Sequence, residues 1–273
     1  MSILVTGANG AVGIDLVKNL ASKFKIFAIY RSSNENIKKI KNVVWVQADL
    51  KKKFLRKFKP KPKFVIHCAV DQRFSKNTKI NNYINSNLSI LKNIIDFANS
   101  NKVKLIVNFS SIEVYGDIKN RILSETYNPQ NPNTYGIMKL LSEDILSNQK
   151  INYVNLRLPG ILCKNIVGNT SRPWLTNIFY KLKTNKKITI YGISKKFNSL
   201  INTDDITKLI KFIINNKVNL RNTYNFASTT PINLINLIYY AKKRFKSKSI
   251  IIKKKNFKKK PYYISTKKIE NNL

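Results

Sequence analysis

The chain is poor in the residues that build small stapled or metal-held folds. It has two cysteines, Cys68 and Cys163, and one histidine, His67, in 273 residues. That set cannot form a disulfide framework or a His-rich metal site, so no metal is expected. Acidic residues are scarce as well, 13 against 51 Lys and Arg, for a formal net charge of +38. No apolar run approaches the ~18 residues of a membrane span. The opening MSILVTGANG has no charged leader region and its apolar stretch is cut at Gly7, so it does not read as a secretory signal. Hydrophobic residues at 43% and aromatics at 11% are too many for a disordered basic polymer. The expectation is a folded, soluble, cytoplasmic protein with no membrane partner, long enough to bury a sizeable core.

The charge raises nucleic acid as a partner. Its distribution points elsewhere, because lysines occur along nearly the whole chain rather than in one stripe. Lys, Asn and Ile are abundant together and all three have AT-rich codons, so compositional drift accounts for them without a selected partner. No specific nucleic acid is expected. The KKKNFKKKP cluster near the end reads as a solvated tail. One consequence is useful: each carboxylate kept at a motif position carries more weight.

Short β-branched runs alternate with helical periodicity. SILVTG, FKIFAIY, NVVWVQADL, KFVIHCAV, VKLIVNFSS and YVNLRLPGI read as strands. Leu88, Leu91, Ile94, Ile95 and Ala98 recur at helical spacing, and TYGIMKLLSEDILSNQK is a further amphipathic stretch. This alternation predicts βαβ units around a buried parallel sheet, an α/β Rossmann-like doubly wound fold. Beyond about residue 160 the texture loosens into helices with short strands. The expected division is a larger Rossmann-like domain over 1–160 and a smaller α/β lobe over 161–273, interleaved at their boundary.

The first strand runs into T-G-A-N-G-A-V-G and then a helix. Gly7, Gly10 and Gly13 permit a tight turn and close approach of backbone to a pyrophosphate, and the helix N-terminus offers free N–H groups. The position between strand and helix at the head of a βαβ unit is the context such a turn requires. Gly7, Asn9, Gly10, Ala11, Val12 and Gly13 are therefore candidate cofactor-binding residues.

This TGxxGxxG spacing resembles the cofactor turn of the extended short-chain dehydrogenases/reductases, the NAD(P)-dependent epimerase/dehydratase/reductase family acting on nucleotide sugars. Other landmarks of that family follow in order. Asp49-Leu50 matches its adenine-contacting pair, and His67-Cys68-Ala69 its H-x-A segment along the cofactor. Asn87 and Asn93 fit an N-x5-N helix. Ser110-Ser111 with Val114-Tyr115-Gly116 resembles SSxxVYG, Tyr135 and Lys139 its YxxxK, and Arg157 to Gly160 the strand reaching the nicotinamide end. FNSLINTDD, from Phe197 to Asp205, resembles a substrate-lobe segment.

The resemblance implies Ser111, Tyr135, Lys139 and Asn87 as catalytic residues. It implies Asp49, Leu50, Ala69, Tyr135, Lys139 and Pro159 at the cofactor, and Glu113, Arg172 and Asn198 toward a nucleoside diphosphate sugar. A homodimer through the helices carrying Asn87 and Tyr135 is also implied. The chemistry is coherent. Tyr135 and Lys139 share one helix face, and an ammonium there favours the phenolate, so Tyr135 can exchange a proton with a sugar hydroxyl during hydride transfer. Ser111 can hydrogen-bond the same oxygen. His67 and the cysteines read as buried structural residues.

NAD-specific members carry an acid at the end of the second strand. Here Arg31 and Ser32 stand there, donors suited to a 2′-phosphate, so NADP is favoured over NAD. The family's dehydratases resemble S/T-D-E-V-Y; Ile112 replaces that Asp although Glu113 remains, which disfavours elimination. A 4-ketohexose reductase is the expected activity. An NAD-dependent C4 epimerase is the alternative, and a non-catalytic dinucleotide- or RNA-binding protein is the reading from another class.

Overall fold

A computed structural model describes residues 1–54, 56–71, 79–164, 173–191, 196–216, 220–254 and 262–273. Its first half alternates strand and helix as the apolar pattern requires. β1 (Ser2–Thr6) leads to α1 (Ala11–Leu20), β2 (Lys25–Tyr30), β3 (Val43–Gln47) and β4 (Phe64–His67). Then come α2 (Ile80–Ser100), β5 (Leu105–Ser111), α3 (Thr134–Ser147) and β6 (Tyr153–Leu158). After α4 (Pro173–Lys183) and α5 (Thr203–Asn216), β7 (Arg221–Asn225) returns to the sheet, followed by α6 (Leu234–Arg244) and α7 (Lys267–Asn272). The seven strands form one parallel sheet in the order 7-6-5-4-1-2-3. The order reverses between β1 and β4, and ligands of such sheets bind outside the strand ends at that reversal.

All residues of β1, β4 and β5 are buried. Helices cover both faces of the sheet, which is why these strands read as continuous apolar runs. One core layer gathers Leu16, Leu20, Ile66, Val107, Leu156 and Ile210. The other gathers Leu4, Phe27, Val65, Ile94, Phe97 and Ile106.

Residues beyond 160 divide between two packing environments. α5 lies against α1, where the buried carboxylate of Asp15 accepts from the Thr203 hydroxyl at 2.7 Å and the Lys164 amide at 2.6 Å. Ile269 of α7 also joins the main core. A separate small core forms from Leu182, Ile188, Ile190, Ile238 and Ala241. There α4 and α6 back a two-stranded parallel ribbon, Ile188–Tyr191 with Ile251–Lys254. Among the described residues, no helix is long and apolar enough to cross a membrane.

Candidate active site

The turn after β1 is built for close backbone approach. Gly7 takes φ +63°, and its amide oxygen accepts from the Gly10 N–H at 3.1 Å. A Cβ on Gly13 would stand 2.1 Å from that same Gly7 oxygen, so any side chain there would force the turn open. α1 begins at Ala11 with no side chain capping it and no acid in its first turn. Its leading N–H groups are thus left for an anion by both hydrogen-bonding and charge. These features fit a dinucleotide pyrophosphate at the turn formed by Gly7, Asn9, Gly10, Ala11, Val12 and Gly13.

The segment after β2 folds over this turn. Asn9 donates to the Ser32 carbonyl at 2.6 Å, and its own carbonyl accepts from the side chains of Asn34 and Asn36, both at 3.0 Å. Arg31 is exposed and makes a 2.5 Å ion pair with Asp71, in the loop following β4. Lys51 stands 3.7 Å from the other Asp71 oxygen. Burial pushes the Asp71 carboxyl up, but the bonds from Arg31 and Ser86 and the two cations outweigh it, holding the group below the usual carboxylate range.

α2 steadies the loops on this side. Asn87, buried, accepts from the Asp71 N–H at 2.9 Å and donates to its carbonyl at 3.3 Å. Asn93 donates to the carbonyls of Leu50 and Lys52 at 2.8 and 2.9 Å. Asp49 caps its own turn through the Lys51 N–H, and Leu50 is buried. The two asparagines of one helix therefore hold the loops after β3 and β4, and Asp71, which sequence reasoning passed over, is one of the residues held. Its only signal was being a rare acid close behind the H-x-A segment.

His67 ends β4. Thr6 Oγ1 accepts from the Cys68 and Ala69 N–H groups at 3.2 and 3.1 Å, so its hydrogen goes to His67 Nδ1 at 2.9 Å. Burial first, and then the Lys139 charge, depress the imidazole to about 3. Burial likewise pushes the Cys68 thiol up. A histidine held neutral in the fold protonates on unfolding, so its stability contribution is present above ~6.5 and is lost as pH falls from there toward its folded value. The slope from this group is up to about 1.4 kcal/mol per pH unit. Urea unfolding at about pH 7 and about pH 5 should show a smaller loss in His67→Asn than in the parent. An equal loss would remove His67 from the acid response.

β5 ends at Ser110-Ser111, and a 3-10 turn (Ile112–Tyr115) follows. Ser111 Oγ caps that turn by accepting from the Glu113 N–H at 3.2 Å, which leaves its hydroxyl hydrogen available. α3 starts with Asn133, whose side chain caps Gly136 at 2.9 Å and donates to Glu113 at 3.2 Å. A Cβ on Gly136 would lie 2.1 Å from the Glu113 carbonyl oxygen, so this residue allows α3 to sit directly on the turn. Tyr135 is thereby brought beside the Ser111–Tyr115 turn. Lys139, one helical turn on, places its ammonium 5.7 Å from the Tyr135 ring centre and donates to the Phe109 carbonyl at 2.7 Å.

Behind these residues lies a cavity of only ≈ 20 Å³, lined by His67, Asn87, Asn108, Lys139 and others. It is far too small for a nucleotide, whose sites run to hundreds of Å³. The cofactor candidates instead border the open strand ends. Pro159 is buried just past β6. Asn198 is buried and spends its amide on the Ser228 and Ile264 carbonyls and its oxygen on the Ile264 N–H. Arg172 and the tail over 255–261 lie outside the described residues.

Fold and turn together describe a Rossmann-like α/β sheet whose strand–turn–helix fits a dinucleotide. The model of the NAD dependent epimerase/dehydratase family matches residues 3–227, and the chain belongs to that family. It is similar to the GDP-6-deoxy-D-talose 4-dehydrogenase of Aggregatibacter actinomycetemcomitans, 30% identical over 151 residues. That match takes in 54% of this chain and 48% of the relative, so the chain spans about half the length of this curated relative. In fold it resembles the Bordetella bronchiseptica enzyme WbmH in complex with NAD+, with TM-score 0.79 and 18% identity over 99% of this chain and 91% of that one. The UDP-glucuronic acid 4-epimerase of Bacillus cereus in complex with NAD is similar at TM-score 0.78 and 19% identity, covering 99% and 92%.

Proposed function

We propose that this protein reduces a nucleoside diphosphate 4-ketohexose, with NADPH favoured as hydride donor and NADH usable. When bound, the nicotinamide would supply the hydride to the sugar carbonyl carbon. Tyr135 gives the proton to the carbonyl oxygen, Ser111 donates a hydrogen bond to that oxygen as charge develops, and Lys139 supports the tyrosine. The observation that carries the reading is the turn after β5. Ile112, where an eliminating acid would be needed, is buried among Val114, Tyr115, Leu123 and Ile264, while Ser111 caps the same turn and Gly136, next to Tyr135 on α3, packs directly on it. The similarity to a 4-dehydrogenase acting on a GDP-deoxysugar supports chemistry at C4 and a nucleotide-sugar substrate.

The C4 epimerase reading draws on the 4-epimerases among the structural relatives. It differs in what happens to the cofactor, so one assay separates the two. The purified chain is denatured to identify released nucleotide, and the native protein is given GDP- and UDP-4-keto-6-deoxyhexoses with NADPH or NADH and, separately, GDP- and UDP-hexoses carrying a C4 hydroxyl with no added cofactor. Stoichiometric loss of reduced nicotinamide with an empty site at isolation is the expected result. Retained NAD with interconversion of sugars and no net consumption would overturn the reductase in favour of the epimerase.

A further inference from the structure

We propose that Asp71 is a determinant of cofactor choice, competing with the 2′-phosphate of NADP for the Arg31 guanidinium and so keeping NAD usable. The inference rests on the dinucleotide site described above. In such folds the ribose 2′ position meets the end of the second strand, where an acid binds the hydroxyl of NAD or an arginine accepts the phosphate of NADP. β2 here ends at Tyr30 and is followed by Arg31, with no carboxylate from that strand. The structure supplies one from a different place. Asp71, beyond β4, reaches Arg31 Nη1 at 2.5 Å, and its side chain is only 15% exposed against 47% for Arg31.

The asymmetry matters. Asp71 is held in place from behind, since Asn87 grips both its N–H and its carbonyl. Arg31 is tethered at its backbone, where its carbonyl accepts from Gln47 at 3.2 Å, while its side chain is half-exposed and held chiefly by Asp71. The carboxylate is therefore the more firmly held member and the guanidinium the more accessible one. A 2′-phosphate must draw Arg31 out of a charge-assisted bond and then sit near a carboxylate that stays behind. A 2′-hydroxyl demands neither. Lys51, 3.7 Å from Asp71, adds a second cation at the same spot and keeps the phosphate from being excluded outright.

The test is equilibrium binding of NAD, NADP, 5′-ADP and 2′,5′-ADP to the nucleotide-free parent, Asp71→Asn, Arg31→Ala and the double variant, each checked for an unchanged thermal transition. Asp71→Asn keeps the shape and the hydrogen-bonding reach of the side chain while removing its charge. It should raise affinity for NADP relative to NAD by tenfold or more, roughly the scale of one lost charge-assisted competitor. The ratio of 2′,5′-ADP to 5′-ADP should move in parallel. Without Arg31 the gain from Asp71→Asn should shrink to the small part owed to removing a carboxylate near the phosphate, so the double variant should lie close to Arg31→Ala. Equal changes for both dinucleotides in Asp71→Asn, or a gain that survives undiminished without Arg31, would overturn the proposal. Failure of the parent to bind any of the four ligands would instead overturn the cofactor site itself, and this inference with it.

Discussion

Turnover in a Tyr135→Phe variant is expected to fall by about 10²- to 10⁴-fold, with dinucleotide affinity essentially retained. The substitution removes one oxygen and leaves the ring. The packing of α3 on the Ser111–Tyr115 turn depends on Gly136 and Asn133, neither of which touches the phenolic oxygen. The Lys139 ammonium keeps its position near the ring and its bond to the Phe109 carbonyl. In the proposed reaction what is lost is the proton donor at the sugar oxygen, an interaction made strongest in the transition state, so the loss should appear in kcat with KM little changed. Steady-state kinetics with the ketosugar, together with a cofactor titration and a thermal melt of the same preparation, reads all three quantities. A variant that turns over normally, or one whose only defect is a lowered melting temperature, would show that Tyr135 is a packing residue.

Much of this arrangement is legible in the amino-acid order because the signals are local. The strand–glycine–helix turn needs Gly13 within seven residues of Gly7, and Tyr135 with Lys139 needs only one helical turn. The sheet is legible for the same reason, since each buried strand is a short apolar run. The stripe on α2 was legible in part. Leu91, Ile94, Ile95 and Ala98 are buried, but Leu88 is half-exposed, lining an open groove beside Ile145, while Ile90 and Phe97 turn inward. A helix packed on a twisted sheet buries a stripe wider than the five positions that periodicity marks. What sequence order does not carry is long-range pairing. Arg31 and Asp71 are 40 residues apart and join only because β2 and β4 flank β1. Asn198 looks like a substrate residue by its motif position, but its side chain is occupied by backbone from residues 228 and 264. Among many solvated lysines, a cation with a partner cannot be told from one without.

The same limit applies to the network that orients α3. Glu143 lies on α3 two turns beyond Tyr135 and one beyond Lys139, and both it and Arg157 of β6 are nearly buried, at 8% and 11% side-chain exposure. Arg157 donates from Nη2 at 2.7 Å and from Nε at 3.1 and 3.2 Å to the Glu143 carboxylate, and from Nη1 to the Tyr115 hydroxyl at 2.9 Å. Its guanidinium also stacks 4.8 Å from the Tyr115 ring centre. Tyr115 passes the chain to Asn225 of β7 at 2.7 Å, and Ser110 donates to Glu143 from β5. Burial alone would lower the Arg157 pKa, but the bonds and charge of Glu143, with Tyr115, more than reverse it. One carboxylate thus ties α3 to β5, β6, β7 and the turn after Ser111. Glu143→Ala leaves a buried guanidinium without its counter-ion and should cost about 3–5 kcal/mol of stability in urea unfolding. Glu143→Leu combined with Arg157→Met removes both charges, and such paired replacements commonly restore stability. The double variant separates the two roles of the pair. If the network only supports the fold, turnover should return with stability. If it sets the rotation of α3 above β5, the protein should be stable and still slow, by up to about 10²-fold, because a displacement near 1 Å at the reacting groups is enough. The second result is expected, since Tyr135, Lys139 and Glu143 lie four residues apart on one face, and rotation at one displaces the others.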